Sequence, residues 1–179
     1  MPPLLKPSEC TLLVLDSADQ PNADDHHGTA KVSRGQLLQA ASVCDVPTLF
    51  AVRNLATDTP APLSMSGRLQ VAPLPMTTIQ WGNTPLGLAL AGMSRSSMLI
   101  CGYWLDEWVT FTALSALGEG YDTYLVTDAS PPLEAGERDT AIMRLVQAGV
   151  VPTSTKQVIR EWAVEVLDLT QRSRLLALA

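Results

Sequence analysis

Short apolar runs rich in β-branched residues, separated by longer stretches of helical periodicity, constrain this chain more than any other feature. They are Leu12–Asp16 (LLVLD), Thr48–Val52 (TLFAV), Met98–Gly102 (MLICG), Thr123–Thr127 (TYLVT) and a shorter one at Val150–Val151. A strand with one wet face alternates apolar and polar side chains; these runs are apolar at both sets of positions, so both faces must be covered. Strands of that kind joined by helices build βαβ units. The pattern therefore predicts an α/β fold, a doubly wound, mainly parallel sheet with helices on both faces.

Helices are expected at Ala30–Val43, Pro85–Met93, Glu107–Leu117 and Asp139–Ala148, the last closed by Gly149, a residue suited to the left-handed helix stop. Near the C-terminus, Val158, Ile159, Trp162, Ala163, Val166 and Leu167 share one face of an amphipathic helix. With 179 residues, 46% of them hydrophobic, the chain reads as a single domain over 1–179. Within it, 54–83 is a proline-rich excursion with one short strand expected near Leu69–Ala72, and 155–179 is a C-terminal helical segment.

A formal net charge of −6 and a pI near 4.8, with 12 scattered Lys and Arg, argue against an electrostatic nucleic-acid partner, which needs a basic surface. No apolar run reaches the roughly 18 residues that cross a bilayer, and the prolines of MPPLLKPSEC interrupt any secretory signal. The expectation is a cytoplasmic protein without a membrane partner. The cysteines Cys10, Cys44 and Cys101 are odd in number and irregular in spacing, which offers neither a disulfide framework nor a Cys-x-x-Cys metal site. No metal or cofactor is expected.

In an open α/β sheet the ligand crevice lies beyond the carboxyl ends of the strands, where strand order reverses. Those ends carry Asp16, then Arg53 and Asn54, then Tyr103 to Trp108, then Asp128. Asp16 follows an apolar run directly, so desolvation would raise its pKa and suit it to proton transfer, although the same residue type also serves as a turn former. Asp24, Asp25, His26 and His27 have metal-ligand chemistry, but no third histidine exists and the cluster reads as a solvated loop. In GYWLDEW, Asp106 and Glu107 suit a helix N-terminus through its dipole, while Trp104 and Trp108 bring aromatic surface to the crevice. The helix that begins there, WVTFTALSAL, is apolar almost all round, broken only by Thr110, Thr112 and Ser115. It needs covering, either by the excursion or by another subunit, and a homo-oligomer is expected.

The stretches LLVLD, MLICGYWLDEWVTFTALSALGEGYDTYLVTDAS and AIMRLVQAGVVPTST resemble the isochorismatase-like hydrolases, also called cysteine hydrolases, and most closely their YcaC-like branch. Trp81 followed by Asn83 suits that branch's Trp-containing turn. The resemblance implies a triad of Asp, Lys or Arg, and Cys, acting on amides through a thioester. Asp16 holds the Asp position; Trp108 stands where the nucleophilic Cys is expected, and Leu74 at the basic position. Arg53, or Arg68 from the excursion, is the candidate replacement cation. Two functions compete. One is Asp-dependent, Cys-independent chemistry by Asp16 on a small molecule, in a pocket of Arg53, Trp81, Asn83, Trp104, Leu105 and Trp108. The other is a catalytically inactive small-molecule-binding or structural homo-oligomer in which Trp108 fills the nucleophile's place.

Overall fold

Alternate residues of each central strand feed two separate cores. Leu13, Leu15, Met98, Ile100 and Leu125 enter one and Leu12, Val14, Leu99, Cys101 and Val126 the other, as the two-residue side-chain period requires. The computed structural model describes residues 4–17, 25–53, 68–71 and 85–179. Its strands are β1 (Cys10–Ser17), β2 (Thr48–Arg53), β3 (Arg68–Val71), β4 (Ser97–Gly102), β5 (Asp122–Val126) and β6 (Val151–Thr153). They form one six-stranded sheet in the order β3-β2-β1-β4-β5-β6, and every pairing is parallel. The chain winds outward from β1 to β3 and returns to place β4 on the other side of β1, so strand order reverses between β1 and β4.

The helices are α1 (Asp25–Val43), α2 (Pro85–Met93), α3 (Thr110–Gly118), α4 (Arg138–Ala148), α5 (Thr155–Glu165) and α6 (Leu169–Leu176). Leu86 and Leu90 of α2, Ala113 and Ala116 of α3, and Ala141 and Leu145 of α4 complete the first core. Leu37, Ala40 and Ala41 of α1, Val158, Ile159 and Trp162 of α5, and Leu175 of α6 complete the second. The sheet is therefore covered on both sides, as the two-faced apolar strands require. None of the described helices is long and apolar enough to cross a membrane.

Three expectations need correction. Asp25, His26 and His27 belong to the first turn of α1 rather than to a loop, and Gly28 is tolerated inside the helix at a modest propensity cost. The C-terminal amphipathic helix stops at Glu165. Asp168 accepts a hydrogen bond from Thr170 N at 2.7 Å and starts α6 afresh, leaving Leu167 90% exposed. Arg172 then folds back, donating from Nε to Ala163 O and from Nη2 to Val166 O, both at 2.9 Å, and so satisfies carbonyls that end α5. Finally, α3 and Trp162 are largely covered within the chain. Thr110, Thr112, Ala113, Ser115 and Ala116 are buried, Trp162 is fully so, and only Phe111 among the large apolar side chains of α3 is exposed.

Gly102 closes β4 with φ +124°, and a Cβ built there would lie 1.8 Å from Leu15 O. Only glycine can let the two backbones meet this closely. Gly102→Ala is expected to destabilise the fold by at least about 3 kcal/mol, combining a strained backbone with a main-chain clash. Urea unfolding with an unchanged m-value checks it.

Candidate active site

The reversal point is held by one main-chain hydrogen bond beyond the β1–β4 ladder. Gly102 pairs with Leu15, and Tyr103 N donates to Leu15 O at 3.0 Å, which brings Tyr103 beside the end of β1 where Asp16 stands. Asp16 itself pairs with Val52 of β2 and is half-buried. After a cis peptide between Tyr103 and Trp104, a single π-helical turn, Leu105–Val109, leads into α3. This is the strand-to-helix elbow that the sequence places here.

The elbow is fastened to the loop after β5. Leu105 N donates to Pro131 O at 2.9 Å, and the Asp106 carboxylate accepts from Leu133 N at 2.7 Å and Glu134 N at 3.0 Å. Asp106 thus spends both oxygens on a neighbouring loop, and no side chain caps the π turn. Thr110 Oγ1 donates to Leu105 O and tightens the turn from within. Arg138 holds the far side of the same loop, donating to Thr127 O at 2.8 Å and Ser130 O at 3.3 Å. Asp128, another strand-end acid, accepts from Thr155 N at 2.8 Å and Thr155 Oγ1 at 3.1 Å, tying β5 to α5.

The aromatic residues divide between roles. Leu105 and Trp108 are buried in the first core, with Leu15, Leu86 and Val109 in the same cluster. Trp104 packs edge-on against Tyr103, ring centroids 4.9 Å apart at 68°. Arg53 ends β2, its backbone in register with Ser17, one step beyond the Asp16–Val52 pair. Arg68 begins β3 in register with Thr48, at the opposite end of the sheet from Asp16. Trp81, Asn83 and Leu74 lie outside the described residues, as does Asp24. Among the described residues, no group of three or more His, Cys, Asp or Glu could hold a metal.

Sequence reasoning missed Arg34. It lies in the buried stripe of α1, with Ala30 four residues before it and Leu37 three after it, and is itself buried. Its Nη2 donates to Tyr103 Oη at 3.1 Å and its guanidinium carbon sits 4.4 Å from the centre of the Tyr103 ring. Nη1 is buried and has no hydrogen-bond partner among the described residues. A donor left in that state forfeits about 1–3 kcal/mol, and more when the group is charged. The available signal was an arginine interrupting an apolar helical stripe.

The thiols stand apart from the elbow. Cys101 lies inside β4, where burial pushes its pKa up to about 12, with Arg34 partly opposing the shift. Burial likewise raises Cys10 and Cys44 to about 11. Thiols with such values carry almost no thiolate at neutral pH, and the thiolate is the nucleophile.

Comparison with known proteins agrees with this geometry. Residues 77–157 match the family model described as the isochorismatase domain. Over 69 residues the chain is 38% identical to the probable hydrolase YcaC of Escherichia coli, an alignment covering 38% of this chain and 33% of that protein. The sequence match thus spans about a third of that relative's length. The solved YcaC from Pseudomonas aeruginosa, bearing hexane-2,5-diol and covalent acrylamide, superposes with a TM-score of 0.73 at 22% identity, covering 98% of this chain and 91% of the other. Escherichia coli YcaC, described as an octameric hydrolase of unknown specificity, gives 0.71 at 22% identity over 98% and 90%. The fold is therefore that of the isochorismatase-like α/β proteins. Within that fold the chain is similar to YcaC, in sequence over 69 residues and in structure over most of its length.

Cys101 supplies a pH test. Its folded pKa, about 12, exceeds the ordinary 9.0, so the folded state holds this proton more tightly than the unfolded state does. The resulting stabilisation is complete below pH about 9 and is lost as pH rises toward 12, at up to about 1.4 kcal/mol per pH unit. Cys101→Ala, whatever its effect at pH 7, should flatten the decline in unfolding free energy between pH 9 and 11. An unchanged slope would contradict the assignment.

Proposed function

We propose that this isochorismatase-family, hydrolase-like protein acts on a small molecule in the crevice over β1 and β4, by chemistry that depends on Asp16 and uses no cysteine. The observation that carries the proposal is the buried Trp108 at the elbow, with every thiol elsewhere and raised in pKa. An indole has no nucleophile to offer, and its roughly 150–250 Å² of surface fills space that a covalent intermediate would need. The triad is on this reading degenerate, with Asp16 retained. Asp16, half-buried at a strand end, would donate or accept a proton at a ligand above it. Arg53 is the proposed companion cation, since its backbone follows the Asp16–Val52 pair directly. Trp81, Asn83, Trp104 and Leu105 complete the proposed pocket wall, and no metal or cofactor takes part.

Turnover of a panel of small amides, esters and vinyl ethers tests this. Asp16→Asn should lower any activity found by about 10²-fold or more, the usual scale of a lost general acid or base, with the circular dichroism spectrum unchanged. Acrylamide at neutral pH should leave the native protein unmodified and any activity intact; loss of activity with one thiol adduct would refute the cysteine-free reading. Trp108→Cys should not create an amidase, and it should destabilise the fold by about 3 kcal/mol, because a large core side chain is truncated. Binding without turnover across the panel would favour the catalytically inactive alternative.

We further propose a cytoplasmic homo-oligomer. Support comes from the octameric description of Escherichia coli YcaC and from the exposed Phe111 of α3, Leu169 of α6 and Leu167 in the link between α5 and α6. An obligate interface would bury on the order of 2,000 Å² or more. Light scattering at micromolar concentration should return a multiple of the 19.2 kDa chain mass; a monomer mass would overturn it.

A further inference from the structure

We infer that Arg34 and Tyr103 form a carboxylate-binding subsite in the wall of the crevice, and that the ligand of this protein carries a small carboxylate. The inference rests on the proposal that the crevice over β1 and β4 is the ligand site. Its own basis is a cation buried where nothing in the fold requires one. Arg34 is 8% exposed and sits in the apolar stripe of α1 between Ala30 and Leu37, which pack in the second core or beside it. An alkyl side chain would satisfy that packing at no electrostatic cost.

What the guanidinium does instead is lie against Tyr103, the first residue past the end of β4. One nitrogen, Nη2, is used on Tyr103 Oη at 3.1 Å. The other, Nη1, is buried and has no acceptor among the described residues. Among the described residues no carboxylate is ion-paired with Arg34; the pair they show is Lys6 with Glu9, on the surface. Asp128, which like Arg34 acts on Cys101 through its charge, has its Oδ1 taken by Thr155. Arg34 therefore combines three properties: it is desolvated, and among the described residues its charge has no paired carboxylate and one of its donors is open.

A carboxylate supplies the missing acceptor and the missing countercharge together. The planar guanidinium fork matches it better than a single-point donor would. A neutral amide would offer an oxygen but leave the charge uncompensated, and a cationic ligand would be repelled. Tyr103 fixes the fork in orientation through its ring and its hydroxyl, so little side-chain entropy remains to be lost on binding. Trp104, edge-on to Tyr103, adds apolar surface for the body of such a ligand. The subsite is separate from Asp16, whose proposed companion is Arg53. One cation is thus assigned to the acid and another to the ligand.

Sodium benzoate and its neutral isostere benzamide, compared at matched ionic strength, test the inference on the full-length protein by thermal shift and by amide hydrogen exchange over residues 103–110. Benzoate should raise Tm in a saturable manner and protect those amides, with benzamide at least tenfold weaker. Arg34→Met should abolish the preference for benzoate. Arg34→Lys, which keeps the charge and guards against a folding failure, should bind benzoate more weakly than the wild type for want of the planar fork. If benzamide and benzoate bind equally and protect the same amides, the carboxylate inference falls while the crevice remains the ligand site. If neither protects them, both readings fall. Equal stabilisation by sodium phosphate would overturn the assignment to carboxylate.

Discussion

The close approach of Gly102 to Leu15 governs the layout of everything around the crevice. Because Gly102 has no Cβ and takes a positive φ, β4 can end flush against the β1 carbonyl, and Tyr103 can donate to that carbonyl in its turn. The next residues are then carried across the strand ends instead of away from them. Trp104 and the π turn follow from that direction. The two cores depend on the same seam, since a slip of one residue between β1 and β4 would exchange the side chains that each strand gives to each face.

Charge is used sparingly inside this acidic protein, and mostly as mechanical fastening. Asp106 and Asp128 each hold backbone N–H groups of a distant segment, and Arg138 and Arg172 hold carbonyls. In each case the charged group meets partial charges of the main chain, which gives a short, directional bond without burying a second full charge. Arg34 departs from this practice, because one of its nitrogens meets no acceptor among the described residues. The contrast between the fastened ions and this open one separates framework from ligand surface.

Much of the architecture was legible because the strands are apolar on both sets of alternate positions, a pattern that only a doubly covered sheet explains. The ends of β2, β4 and β5 fell within a residue of expectation. The break between α5 and α6 was not legible from periodicity, since Val166 and Leu167 continue the apolar stripe; the capping carboxylate of Asp168 decides it. Periodicity likewise signals that α3 must be covered without naming what covers it. Of the residues proposed for the site, the positions of Asp16 at the end of β1 and of the aromatic elbow could be read directly. Arg34 could not, because it lies in the middle of a helix and not at a strand end, and its reach to Tyr103 is a property of the tertiary fold.

The elbow is held by Leu105 N, the Asp106 carboxylate and the Thr110 hydroxyl, and none of these bonds involves the side chain at position 108. The frame and its occupant are therefore separately heritable. A lineage can exchange the group at the tip of this elbow by altering one codon, while the loop that aims it stays in place. On the proposed reading, loss of a reactive residue need not be decay of the scaffold, since the socket persists and selection can refit it.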